Sequence, residues 1–129
     1  MESTIDTAIK QVAEGTLDFP GYVKLLATAG VHCYTVDLET RKVVYYAGMK
    51  SSARKFISED LNIAPRFNEN FLKEAINAVV HKRIDYLEFL RRLAGAGVES
   101  YEADFKTKKI TYRGRRKSFV EPFQPEKII

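Results

Sequence analysis

The chain has 129 residues, 45% of them apolar and 29% charged, which are the proportions of a single soluble domain large enough to bury its own core. One cysteine excludes a disulfide framework and any cysteine-rich zinc site, and seven Gly with four Pro are too few for a low-complexity or collagen-like chain. The net charge of +4 is unevenly spread: residues 1–64 carry 7 basic and 8 acidic side chains, a sum of −1, while residues 65–129 carry 14 basic and 9 acidic, a sum of +5.

The N-terminus, Met-Glu-Ser-Thr-Ile-Asp, is acidic and lacks the layout of a secretory signal, and no apolar run reaches the ~18–20 residues of a membrane span. With the lone Cys33, this points to a reduced, cytoplasmic setting with no membrane partner. Ile5, Ala8, Ile9 and Val12 then follow helical spacing, with Ser3 placed three before Asp6 as in a capping box. Asp18 reads as the N-cap of a second helix, with Pro20 in its first turn, and Ala29-Gly-Val31 as its stop. Cys33–Leu38 alternates as a half-buried strand, turning through Asp37-Leu-Glu-Thr40 into a partner strand, Lys42–Ala47. Ser51 to Leu61 reads as a short connecting helix broken by Pro65.

The same order then returns. Phe71, Leu72, Ala75, Ile76, Val79 and Val80 form an apolar helical stripe that ends near His81, where a cation suits the negative end of the dipole. Asp85 with Glu88 reads as a capping box, Ala96-Gly-Val98 as a stop, and residues 101–113 as a hairpin turning at Asp104-Phe-Lys-Thr107. A shift of 67 residues aligns 5–47 with 72–114 without a gap, and 14 of 43 positions are identical. Among them are Asp18/Asp85, Leu26/Leu93, Gly30/Gly97, Tyr34/Tyr101, Asp37/Asp104 and Tyr45/Tyr112. A tandem duplication explains such a run better than chance. The expected fold is therefore α+β, one domain over 1–129: two helix–helix–hairpin units, a connector at 48–71 and an extended surface tail at 115–129. Two hairpins pair into an antiparallel sheet of about four strands with helices on one face.

The residues shared by the two units are mostly caps, turns and core positions, and their structural duties suffice to explain them. Tyr34, Tyr45, Tyr101 and Tyr112 should gather on the inward sheet face, either as packed core or as the lining of a small-molecule cleft between the units. Residues 106–117 hold seven basic side chains and no acidic one. Within them Lys109, Arg113, Arg115, Arg116 and Lys117 could meet nucleic-acid phosphates or an acidic protein, with Tyr46 or Phe119 near for stacking; the alternative is a solvated strand edge. No HExxH, CxxC, GxGxxG, GxxxxGK[ST] or GxSxG pattern occurs, so no metal, cofactor or catalytic residue is expected. His32 and Cys33 are neighbours, which a strand would point to opposite faces, against a Cys–His pair.

Tyr22-Val-Lys-Leu-Leu-Ala-Thr-Ala-Gly-Val31, Tyr34-Thr-Val-Asp37 and Lys42-Val-Val-Tyr-Tyr-Ala-Gly48 together resemble the YdfO/YbcV-like bacterial and prophage family of unknown function, often labelled "phage envelope protein". The resemblance implies a small α+β fold with duplicated halves and brings no catalytic residues. The leading expectation is a non-enzymatic binding or accessory protein. Nucleic-acid binding through 106–117 and a sensor or enzyme with a tyrosine-lined cleft are the alternatives. A spare hairpin edge would also allow a homodimer by strand addition.

Overall fold

The computed structural model describes residues 1–55 and 59–122, with only the backbone of Phe19 and Pro20. Four helices and six strands follow one another as α1 (Glu2–Ala13), α2 (Phe19–Thr28), β1 (Cys33–Asp37), β2 (Lys42–Ala47), β3 (Lys50–Lys55), α3 (Glu69–Val80), α4 (Tyr86–Gly95), β4 (Val98–Asp104), β5 (Lys109–Gly114) and β6 (Lys117–Pro122). The strands form one antiparallel sheet in the order β3-β2-β1-β4-β5-β6. The sheet joins at its centre through β1 and β4, where Tyr34 faces Ala103, Thr35 faces Glu102 and Val36 faces Tyr101. The 67-residue shift carries this register onto itself, since it exchanges the two outer pairs and leaves the middle one in place.

The sheet has six strands where four were expected. Both additional strands lie at the edges. β3 occupies the start of the stretch read as a Ser51–Leu61 helix, and β6 lies in the stretch read as a surface tail. Neither sequence, Lys-Ser-Ser-Ala-Arg-Lys or Lys-Ser-Phe-Val-Glu-Pro, has a continuous apolar alternation. Their strand form comes from main-chain pairing to β2 and β5, and their polar side chains and terminal Pro suit solvent-facing edges. Residues 56–58 and 123–129, which complete those two expectations, lie outside the described residues.

Local signals act largely as their chemistry suggests. The Asp18 carboxylate accepts from the Gly21 amide at 2.9 Å, and Asp85 accepts from that of Glu88 at 2.8 Å. The amides of Glu39 and Thr40 donate to Asp37 at 2.9 and 3.0 Å, and those of Lys106 and Thr107 to Asp104 at 2.9 and 3.2 Å. Gly30 and Gly97 take φ of 86° and 82°, so Gly30 N–H can donate to Ala27 and Val31 N–H to Leu26, closing the end of α2. Two expected caps differ. α1 starts at Glu2 with Met1 as its cap and no side-chain bond, which puts Ser3 inside the helix. Glu88 does not reach back to close a capping box, because its carboxylate pairs with Arg91 and Arg92.

Strand alternation puts Tyr34, Val36, Val43, Tyr45, Tyr101, Ala103, Ile110 and Tyr112 on one sheet face, all buried. They share one core cluster with helix residues including Ile5, Leu26, Leu72, Ile76, Leu90 and Leu93. Fully burying a Leu or Tyr side chain contributes about 1.5–3 kcal/mol, so this cluster supplies the main driving force for folding. Cys33, Thr35, Val44, Tyr46, Glu102 and Thr111 occupy the opposite face and stay partly exposed.

Candidate functional site

The four repeated tyrosines stand side by side across β2, β1, β4 and β5. Ring centroids are 5.7 Å apart for Tyr45–Tyr34, 6.3 Å for Tyr34–Tyr101 and 5.7 Å for Tyr101–Tyr112. Tyr34 also meets Tyr22 edge-on at 5.8 Å. The inward parity read from the sequence thus produces one aromatic row, with geometries that aromatic pairs favour.

The hydroxyls end in different environments. Tyr45 pairs with Tyr22 of α2, and Tyr101 with Tyr86 at the start of α4. Tyr112 donates to a Glu121 carboxylate oxygen at 2.8 Å. Burial pushes the Tyr45 phenol up to about 12 and raises Tyr22, Tyr34, Tyr86, Tyr101 and Tyr112 as well, so all stay neutral at physiological pH. None is poised to act as a general base near neutrality. Burial also raises the Glu121 carboxyl, and the Tyr112 hydrogen bond opposes that shift.

A cleft of about 1150 Å³ opens above part of this row. The loop between α1 and α2, residues 14–18, forms one bank, and Lys82, Ile84 and Asp85 of the α3–α4 loop, with Tyr86 and Leu87 of the first turn of α4, form the other. The 67-residue shift relates these banks. Ile9, Val12, Ile84, Leu87 and the half-buried Tyr22 and Tyr86 make its walls, and beneath them lie Tyr34, Val36, Val43 and Tyr45, each no more than 3% exposed. Glu14, Asp18, Glu59 and Asp85 stand around it with one cation, Lys82. Of the four tyrosines singled out by sequence, Tyr34 and Tyr45 line the cleft. Tyr101 lies behind it, bonded to Tyr86, and Tyr112 lies one strand further away. Tyr22 and Tyr86 were missed as site residues. The helical spacing Tyr22–Leu26 and Tyr86–Leu90 already placed them on the stripes that face the core.

The basic run is divided by the strand it contains. Lys106, Lys108 and Lys109 lie at one end of β5, and Arg113, Arg115, Arg116 and Lys117 at the other. A six-residue strand separates the ends by roughly 17 Å. β5 is not an edge, since β6 pairs along its whole length, and Arg113 contacts Glu102 at 3.4 Å. Cys33 sits on the opposite sheet face from Tyr34, where burial and the neighbouring Glu102 and Asp104 raise its thiol and keep it a poor nucleophile. His81 caps α3 and its Nδ1 contacts the Asn77 carbonyl oxygen at 2.8 Å. Among the described residues no group of three His, Cys, Asp or Glu is arranged to hold a metal, and no helix is long and apolar enough to cross a membrane.

A sequence model of the family described as "Protein of unknown function (DUF1398)" matches the chain twice, over residues 1–53 and 47–120. The chain belongs to this family. The two DUF1398 matches overlap at residues 47–53, in the turn from β2 into β3 and most of β3 itself, so each covers one helix pair with its strands. No curated protein matches the chain.

Proposed function

We propose that this DUF1398 protein is a non-catalytic binding protein of the YdfO-like type, acting in the cytoplasm, whose ligand site is the tyrosine-lined cleft between two halves of a duplicated domain. The observation that carries this reading is the cleft itself: about 1150 Å³, walled by apolar and aromatic side chains, with a few polar groups at its banks. Sites for small molecules have that composition. The neutral phenols argue for recognition over acid–base chemistry. The duplication is supported by the repeated order of two helices and three strands, by the self-consistent β1–β4 register and by the two family matches. The single core cluster supports treating residues 1–129 as one domain with the helices against one sheet face.

The test is a ligand-observed NMR screen of small aromatic and aliphatic fragments. Leu87, at the cleft bank and 37% exposed, can be enlarged to Trp without disturbing the core. Binders should appear with the wild-type protein and be lost with Leu87→Trp. An absence of binders, or binders indifferent to that change, would overturn the reading.

A second reading rests on the Arg113, Arg115, Arg116 and Lys117 cluster at the β5–β6 turn, which could meet nucleic-acid phosphates or an acidic protein surface. Its signature is retention on DNA or RNA that falls steeply with salt and is lost on changing the three arginines to Ala. No retention at low salt removes the nucleic-acid arm.

A further inference from the structure

We propose that the cleft is selective for an organic cation with an apolar body, its charged group held at the mouth and its body packed against the apolar walls. This rests on the reading of the cleft as a ligand site and adds the chemical class of the ligand.

The whole chain carries +4, yet the residues lining this cleft number four carboxylates and one lysine, with Arg83 the next cation in the same loop. The local sign is opposite to the global one. Asp18 and Asp85 each cap a helix through Oδ1 and stand exposed at the mouth. Glu59 is held by Arg91 through two contacts of 2.7 and 2.8 Å, which neutralises much of its field. Glu14, exposed just after α1, has no ion-pair partner among the described residues. An ammonium placed between the banks meets these carboxylates on one side. On the other side it meets the half-buried Tyr22 and Tyr86 of the cleft wall. The walls of Ile9, Val12, Ile84 and Leu87 offer nothing to a charge and favour an alkyl or aryl body. A carboxylate ligand would face repulsion at the same mouth.

Three probes of similar shape separate the possibilities: phenylbutylamine, phenylbutanol and phenylbutyrate, titrated into the folded protein by NMR and calorimetry. The amine should bind about tenfold more tightly than the alcohol, and the acid most weakly. The amine's advantage should shrink as salt rises, because the mouth is open to solvent. Glu14→Lys should abolish the amine's preference over the alcohol. Lys82→Glu should enlarge it several-fold, which keeps the test decisive if Glu14→Lys folds poorly. Equal binding of amine and alcohol, or tighter binding of the acid, overturns the cation preference while leaving the cleft as a ligand site. Failure of all three probes to shift cleft resonances overturns both.

Discussion

The two Ala-Gly-Val stops share a backbone and differ in surroundings. Gly30 and Gly97 have φ of 86° and 82°, and each donates to the Ala three residues before it. Around Gly30 the space for a Cβ is open, whereas a Cβ on Gly97 would lie 2.3 Å from the Arg66 carbonyl oxygen. The connector is the cause. The Ala64 amide donates to Ala94 and the Asn68 amide to Ala96, which presses residues 66–67 onto the second hairpin. Gly114 belongs to the same contact, since a Cβ there would meet Phe67 at 2.4 Å. One local signal thus serves two purposes: a helix stop in the first half, a helix stop and a packing surface in the second.

The charged residues that flank the core differ even more. In the first half Arg54 of β3 reaches Glu2 and Asp6 of α1 at 2.8 Å. The 67-residue shift takes Asp6 to Lys73 and Arg54 to Glu121, so the signs are exchanged. The second pair does not reproduce the first contact. Lys73 bonds Glu69 at 3.1 Å and lies 5.5 Å from the centre of the Phe119 ring, while Glu121 turns to Tyr112. One half carries an ion-pair latch at these positions, and the other carries a part-buried tyrosine–carboxyl bond.

The comparison breaks hardest at the glycines. Gly97→Ala should cost about 3 kcal/mol or more, combining left-handed strain with overpacking against backbone, and Gly30→Ala only about 1 kcal/mol. Denaturant midpoints of the two variants measure the difference, and equal values would show that the connector does not press on the second half. The capping aspartates should behave alike. Asp18→Ala and Asp85→Ala should each lower stability by about 1 kcal/mol, because each leaves one first-turn amide without its acceptor. Thermal unfolding of the pair tests that equality.

The smallest effects lie in the flanking charges and are read by pH. Glu121 has a folded pKa raised by burial, so the folded state holds its proton more tightly than the unfolded state. Stability from this group is greatest below the ordinary glutamate value and declines as pH rises from there through the folded pKa. Glu121→Gln keeps an acceptor for Tyr112 and should flatten that decline, leaving the protein slightly more stable at neutral pH than wild type. Glu2 runs the other way. Hydrogen bonds from Ser52 and Arg54 lower it, so its contribution is present above the ordinary value and fades as pH falls through the folded one. Arg54→Ala should cost no more than about 1 kcal/mol near pH 7, with the loss reduced by salt. Unfolding curves recorded across acid pH for the two variants should bend in opposite directions; parallel curves would contradict the assignment.

Much of the fold was legible because its signals are local. A carboxylate two or three residues ahead of a free amide, a glycine where φ must be positive, and apolar side chains at periods of two or 3.6 act over one turn of chain, and they located four helices and the inner four strands. Tyr34, Tyr45, Tyr101 and Tyr112 were placed on one face by parity alone. β3 and β6 were illegible for the converse reason: Lys50–Lys55 and Lys117–Pro122 are strands because a neighbour offers its main-chain groups, and little in their side chains records it. The 67-residue shift sets Gly114 against Ala47, and the reason for that difference also needed three dimensions. Gly48 takes φ of 61° in its turn, while the corresponding left-handed residue in the second turn is Arg116, leaving Gly114 to accommodate Phe67.

The amino-acid order alone determined the backbone conformation of the four helices and the inner four strands and the face each inner strand buries, since those depend on residues within a few positions of one another. Only the tertiary structure decided which hydroxyl meets which partner, how the basic run is divided between two ends of β5, and that two loops about 67 residues apart become the banks of one cleft. Those outcomes depend on distances between segments remote in the chain, which are fixed when the helices and one sheet face bury their apolar surface together.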